Sequence, residues 1–280
     1  EEMRSMMGAM ARRYDDGGEA RRTRTPEVEL PGRTVETAFG PGHVIDEVYS
    51  ETHCHGRYPV GGGAMADAST VGLISLDKGL LDVDFAGALY LDTETTGLAG
   101  GTGTIPFLVG MSWFEGPQLR VQQLFVKGFG QERPMLQLLG DRLREATCVV
   151  TYNGKSFDWP LLRSRFIMNR LEPPEPPPHL DLLHCARRLF KARLPHVRLT
   201  EVERSVLGYV RVDDVDGAEI PDIYMDYVAA DEVEPMLDVL RHNRDDLLAL
   251  PALLGVMTGL MQGTLEVEHP SDRVACAEVA

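Results

Sequence analysis

The sequence predicts an α/β fold with a mixed central sheet, in which a three-strand antiparallel meander is joined by parallel strands and flanked by helices. Three observations carry this expectation. Between residues 86 and 126, short apolar runs alternate with Gly and Pro punctuation, the pattern of strands joined by tight connections. From Glu132 the apolar residues fall at near-helical spacing, and a short buried-type strand follows at 148–152, which implies a crossover back into the same sheet. Further helical stretches come after it, the first two separated by a Pro-rich segment at 173–178.

Residues 1–82 give the weakest signal. Mixed charge over 12–24, then Pro26, Pro31, Pro41 and the run Gly61, Gly62, Gly63 leave little sustained periodicity, which predicts a partly disordered accessory segment. His53, Cys54 and His55 lie within it and invite a metal reading. Neighbours on an extended chain point to opposite sides, however, and no second ligand pair stands at a useful spacing. The main domain is expected over 83–262, with strands at 86–94, 105–114 and 119–126. A helix follows over 132–145, with Met135, Leu136, Leu138, Leu139 and Leu143 as its apolar positions, and then the strand 148–152. Later helices are expected at 159–169, 182–191, 199–207 and 234–257, and a tail over 263–280.

With 280 residues and 43% hydrophobic content, the chain can fill a sizeable core. A formal net charge of -15 excludes nucleic-acid binding through overall charge, so any such contact must come from a local patch or from bound metal. One stretch could supply a patch: residues 161–211 hold ten Lys or Arg against five Asp or Glu, although solvated helix faces account for such a run equally well. The stretch 212–246 turns strongly acidic. Cys54, Cys148, Cys185 and Cys276 form no CxxC pair, which favours a reducing cytoplasm over a disulfide framework or a zinc ribbon. No run of about 18 apolar residues is present, so no membrane partner is expected.

Acidic residues carry the chemical signal. Asp92 and Glu94 stand two apart on the first strand of the meander, so they leave one face while Leu91 and Thr93 leave the other. Two carboxylates held side by side repel each other, and a divalent cation relieves the repulsion; hard oxygen donors of this kind select Mg²⁺ or Mn²⁺ over zinc. Taken alone, the pair could also be two solvated acids at a strand end. Asp158 follows the next strand, where it could equally cap a helix, with Pro160 at an early helical position. His242 and Asp246 are four apart, hence on one helical face. Asp245 is the rival register, about 100° round the helix.

The string Tyr90-Leu91-Asp92-Thr93-Glu94-Thr95-Thr96-Gly97-Leu98 closely resembles the first motif of the DEDD 3′-5′ exonuclease superfamily, an RNase H-like group that includes polymerase proofreading domains. Tyr152-Asn153-Gly154-Lys155-Ser156-Phe157-Asp158-Trp159-Pro160 looks like its second motif, and Arg241-His242-Asn243-Arg244-Asp245-Asp246 like its third, with His242 at the spacing that members with Tyr use. The resemblance implies that Asp92, Glu94, Asp158 and Asp246 bind two Mg²⁺ or Mn²⁺ ions and that His242 is the general base. It further implies that Thr95, Asn153 and Phe157 meet a single-stranded DNA or RNA end, with a terminal base stacked on Phe157. It is nearest to a bacterial branch that also shows a segment like His179-Leu180-Asp181-Leu182 and whose members often continue into C-terminal tetratricopeptide repeats; no repeat domain is expected among the residues up to Ala280. Asp181 reads as a helix cap or an additional acid.

Two further readings compete. The Gly-rich run 97–104 lacks Gly-Lys-Ser/Thr and precedes a strand, which favours a hairpin connection over a phosphate loop. The net charge and the unusual His spacing leave an RNase H-like nucleic-acid-binding or assembly module with little turnover as the alternative to an exonuclease, and a phosphoesterase for small nucleotides as a third reading.

Overall fold

The computed structural model describes residues 28–97, 103–175 and 177–266. Among them nine strands form: β1 (Arg33–Thr37), β2 (Gly40–Ser50), β3 (Cys54–His55), β4 (Tyr58–Pro59), β5 (Ala88–Thr95), β6 (Pro106–Glu115), β7 (Gln118–Phe125), β8 (Cys148–Thr151) and β9 (His179–Asp181). Seven make one sheet in the order β1-β2-β7-β6-β5-β8-β9, and β3 pairs with β4 as a separate hairpin. β5, β6 and β7 are the expected antiparallel meander, while β8 lies parallel to β5 and β9 parallel to β8. The helices are α1 (Ala68–Ser75), α2 (Glu132–Glu145), α3 (Asp158–Met168), α4 (Leu182–Phe190), α5 (Leu199–Val202), α6 (Ile220–Ala230) and α7 (Val233–Met261). α5 runs directly into a π-helical turn, Glu203–Leu207. This is the mixed sheet flanked by helices that the sequence predicts.

The pleat of β5 sorts its side chains between two cores. Ala88 and Tyr90 enter one with Cys185 of α4 and Leu247, Leu250 and Leu254 of α7. Leu89 and Leu91 enter the other with Leu136 and Leu139 of α2, Leu162 and Phe166 of α3, and Tyr224 of α6. Burying one such leucine stabilises by about 1.5–3 kcal/mol, so apolar contacts on both faces hold the strand while its far end carries charge. Continuing the alternation, Asp92 and Glu94 leave on the α7 face and Thr93 on the α2–α3 face. The α2 stripe is as the spacing predicts, with Met135, Leu136, Leu139 and Leu143 buried and Leu138 partly so. Glu132 at the start of α2 and Arg165 of α3 form a buried ion pair, with Nε donating to Oε1 at 2.6 Å. Losing one member of such a pair costs about 3–5 kcal/mol, so this contact sets where α3 and its first residue, Asp158, stand.

The expectation of a poorly ordered accessory segment over 1–82 is corrected for 28–82. β2 pairs with β7 from His43 opposite Phe125 to Ser50 opposite Gln118, and β1 closes the edge, so the segment extends the main sheet. The glycine run is a close-packed surface and not a linker: a methyl group added at Gly63 would lie 2.8 Å from Cα of Pro251, and one at Gly62 3.1 Å from Cα of Gly255, both on α7. Sequence periodicity missed these strands because strands at the solvated margin of the sheet carry few apolar residues, and it missed α1, α6 and the short β9 as well. Residues 1–27 and 267–280 lie outside the described residues, as do positions 98–102 of the Gly-rich run. On either side of that run the chain closes as a hairpin, with the amide of Thr96 donating to the carbonyl of Ile105 at 3.0 Å. Among the described residues no helix is long and apolar enough to cross a membrane.

Candidate active site

The site forms where β5 ends, at the same end of the sheet as the C-termini of its parallel partners β8 and β9. Asp92 lies opposite Gly110, which lies opposite Gln123, so three residues make one row across β5, β6 and β7. Only glycine fits the middle of that row, because a Cβ at Gly110 would come within 2.2 Å of Oδ1 of Asn243. Asn243 of α7 leans over this gap. Gln123 Nε2 donates to its Oδ1 at 2.9 Å, which turns the Asn243 amide nitrogen toward Asp92, where it donates to Oδ2 at 2.8 Å. Gln123 also donates to the carbonyl of Leu240 at 2.8 Å, tying this part of α7 to the sheet.

Asp158 arrives from the opposite layer. It is the first residue of α3 and not its cap, and the Thr93 hydroxyl, on the α3 face of β5, donates to its Oδ1. The loop before it is held by Asp181, whose carboxylate accepts from the amides of Asn153 (2.7 Å) and Lys155 (3.2 Å) as well as capping α4 at Leu183. The cap reading of Asp181 therefore holds, with an added role in shaping the motif loop. Asn153 sits at φ +69°, a turn conformation that asparagine tolerates. Phe157 stands 59% exposed. The hydroxyl of Thr95 donates to the carbonyl of Gly97 at 2.9 Å, so its first role is to shape the turn after β5.

From α7 come His242 and Asp246. One ligand atom each of Glu94, His242 and Asp246 lie within 4.8 Å of one another. His242 Nδ1 is 2.8 Å from Oδ1 of Asp214, and Nε2 is 3.7 Å from Oδ2 of Asp246. The rival acid Asp245 faces elsewhere, accepting from the hydroxyl of Tyr209 at 2.8 Å and pairing with Arg244. Asp246 also receives the guanidinium of Arg211, a buried cation that pairs with Glu203 Oε2 at 2.8 Å. Glu203 opens the π-helical turn, is fully buried, and contacts His55 Nε2 at 2.7 Å. Cys54 and His55 thus split as the alternation predicts. Cys54 is exposed and His55 is buried against Glu203 and the Tyr209 ring, at 3.9 Å between ring centroids.

The four acids feel one another. Asp92 is pushed well above the usual carboxylate range by burial and then by the charges of Asp246, Glu94 and Asp158, with the Asn243 hydrogen bond pulling the other way. Burial pushes Glu94 up to about 7, with Asp246 and Asp158 adding to it and His242 and Arg211 opposing. Burial likewise raises Asp158 to about 6, against the Thr93 hydrogen bond. Burial alone would lower His242, but Asp246 and Glu94 outweigh it and raise the imidazole. Carboxylates in this condition must take up protons or share a cation. A hard divalent ion fits the donor set of carboxylate oxygens and one imidazole.

Sequence reading placed Asp92, Glu94, Asp158, His242 and Asp246 here, and the structure brings them together. It missed Asn243, Gln123, Arg211, Asp214 and Glu203. A signal existed for Gln123, a polar residue on an interior strand, and for Asn243, one turn before Asp246 on a helix that is apolar from Leu247 to Met257. Arg211 left none, because Asp246, the partner that brings it to the site, lies 35 positions later.

Residues 89–258 match the RNase_H_2 family of the RNase_H superfamily. Over 166 residues the chain is 39% identical to the uncharacterized protein YprB of Bacillus subtilis (strain 168), a match covering 59% of this chain and 40% of that protein. Among solved structures, the family B DNA polymerase from the hyperthermophilic archaeon Pyrobaculum calidifontis is similar over 62% of this chain and 24% of that chain, at 16% identity and a TM-score of 0.47.

Proposed function

The chain belongs to the RNase_H superfamily, and from that premise we propose that it is a metal-dependent nuclease, a 3′-5′ exonuclease that hydrolyses phosphodiester bonds at single-stranded DNA or RNA ends. The observation that carries this reading is the crowding of Asp92, Glu94 and Asp158 with Asp246, in which burial and mutual repulsion raise three carboxyls at once. A fold has no use for such repulsion unless a cation relieves it.

On this reading Asp92, Glu94, Asp158 and Asp246 hold two Mg²⁺ or Mn²⁺ ions. When bound, the ions supply Lewis-acid stabilisation of the charge that builds on the phosphate oxygens during in-line displacement. The side chains do the rest. Asn243 and Thr93 orient Asp92 and Asp158 by donating to one oxygen of each, Oδ2 of Asp92 and Oδ1 of Asp158. Asp214 Oδ1 accepts a hydrogen bond from Nδ1–H of His242, which leaves Nε2 as the basic atom on the side of Asp246 and Glu94, where it would accept the proton of the attacking water. Phe157 offers an exposed face on which a terminal base stacks.

The test is purified protein with Mn²⁺ or Mg²⁺ and a 5′-labelled single-stranded oligonucleotide. Stepwise shortening is expected for the wild type and its loss for Asp92→Asn. Undiminished cleavage by that variant would remove the proposed site, and tight binding with no cleavage by the wild type would favour a binding or assembly module.

A further inference from the structure

Beside the motif loop that leads into Asp158 lies a cavity of about 770 Å³. Tyr152 and Asn153 form one wall, Arg187 and Lys191 from the end of α4 another, and the segment 194–199 a third, carrying His196 and Arg198. No Asp or Glu lines it, although the whole chain carries a net charge of -15.

Six residues of the cationic stretch that the sequence singled out fall here into two sets. Arg165, Arg204 and Arg211 are each paired with an acid. Among the described residues no ion pair joins Arg187, Lys191 or Arg198 to an acid, and all three are exposed and line the cavity. The field at a helix C-terminus favours Arg187 and Lys191 where they are, but it does not account for His196 and Arg198 arriving from a separate segment. That segment is held in place, since the Tyr152 hydroxyl donates to the carbonyl of Val197 at 2.6 Å. Beneath the cations the floor is apolar, with Leu183 and Leu194 buried. A cationic rim over an apolar floor matches a nucleotide, whose phosphates are anionic and whose base is flat and weakly polar. The volume suits a ligand of small-molecule size. A splayed single strand can place a unit there, whereas a stacked duplex cannot.

We infer that this cavity binds the backbone and a base of a single-stranded nucleic acid, as a subsite separate from the acidic centre and joined to it by the loop from Asn153 to Asp158. The inference rests on the nuclease reading for its choice of ligand, yet binding can be measured with no turnover.

The experiment compares wild type with the triple variant Arg187→Ala, Lys191→Ala, Arg198→Ala in chelator. Anisotropy of a labelled single-stranded oligonucleotide of about 20 nucleotides is read across a salt series, because removing one cation from the phosphate backbone should flatten the slope of log K against log salt by about 0.7. The triple variant should bind about tenfold or more weakly at low salt, with a slope smaller by about 2. None of the three side chains is buried in the core, so its melting temperature should stay that of the wild type and report an intact fold. Equal affinity and equal slope in the two proteins would overturn the subsite even if the wild type cleaves. A wild type that loses affinity through the triple change but never cleaves would keep the subsite and discard the nuclease reading. A mononucleotide that binds as tightly as the oligonucleotide, with the same loss in the variant, would overturn the strand-binding role in favour of a nucleotide pocket.

Discussion

The two sides of the acidic centre are held by different means. On the sheet side, Asp92 and Asp158 lean on neutral donors, the Asn243 amide and the Thr93 hydroxyl. On the helix side, Asp246 holds the guanidinium of Arg211, which is anchored in turn by the buried Glu203. A neutral donor orients a carboxylate without cancelling its charge, whereas a guanidinium does both. The comparison locates the unmet charge on β5 and α3, and it makes Arg211 a built-in cation that keeps Asp246 ordered without metal.

The largest effect should come from deleting that cation. Arg211→Ala strands Asp246 and the fully buried Glu203, takes a partner from a third acid, Asp214, and should cost about 3–5 kcal/mol in denaturant unfolding, with Arg211→Lys losing less. A loss below about 1 kcal/mol would mean that the two sides are not differently built. Next comes pH. Glu94 is raised in the folded state from 4.5 to about 7, so the stability it contributes is full below the unfolded value and is lost as pH rises through the folded one. Metal-free protein should therefore weaken between about pH 4.5 and 7, with Glu94 contributing no more than about 3 kcal/mol of the loss, and thermal melts across that window check the sign.

Smaller still is the effect expected at the neutral donors. Asn243→Leu removes the hydrogen bond to Asp92 and leaves Gln123 with one partner fewer, for about 1–3 kcal/mol. Gly110→Ala should approach the same loss, because its methyl group collides with the Asn243 oxygen. If Gly110→Ala melts like the wild type, the row across β5, β6 and β7 is not what aims Asn243. The smallest stability change is expected for exposed Phe157→Ala, within about 0.5 kcal/mol, while affinity for a single-stranded end should fall by about 1–3 kcal/mol as the stacking surface disappears.

What the sequence revealed of this contrast follows from distance along the chain. The sheet-side acids were legible because strand alternation puts Asp92 and Glu94 on one face, and the helix-side pair because His242 and Asp246 stand one turn apart. The meander, α2 and β8 were legible for the same reason, being written in local periodicity. The sequence favoured Asp246 over Asp245 by its spacing from His242, and in the structure Asp245 turns instead to Tyr209 and Arg244. The link from His55 through Glu203 and Arg211 to Asp246 joins distant stretches by single contacts, and no periodicity encodes such a link. Residues 28–82 were misjudged because proline and glycine read as linker when the partner that packs against them, α7, lies almost 200 positions later.

Thermal melting with and without Mn²⁺ at about pH 8, on wild type and Asp92→Asn, addresses the unmet charge most directly. Binding to the folded state alone stabilises it by about 2.7 kcal/mol when the ion is at a hundred times its Kd. The wild type should gain that stability and the variant should lose most of the gain, while metal-free Asp92→Asn melts at or above metal-free wild type because one repulsive charge is gone. A wild type indifferent to Mn²⁺, or a variant that gains as much, would contradict the account.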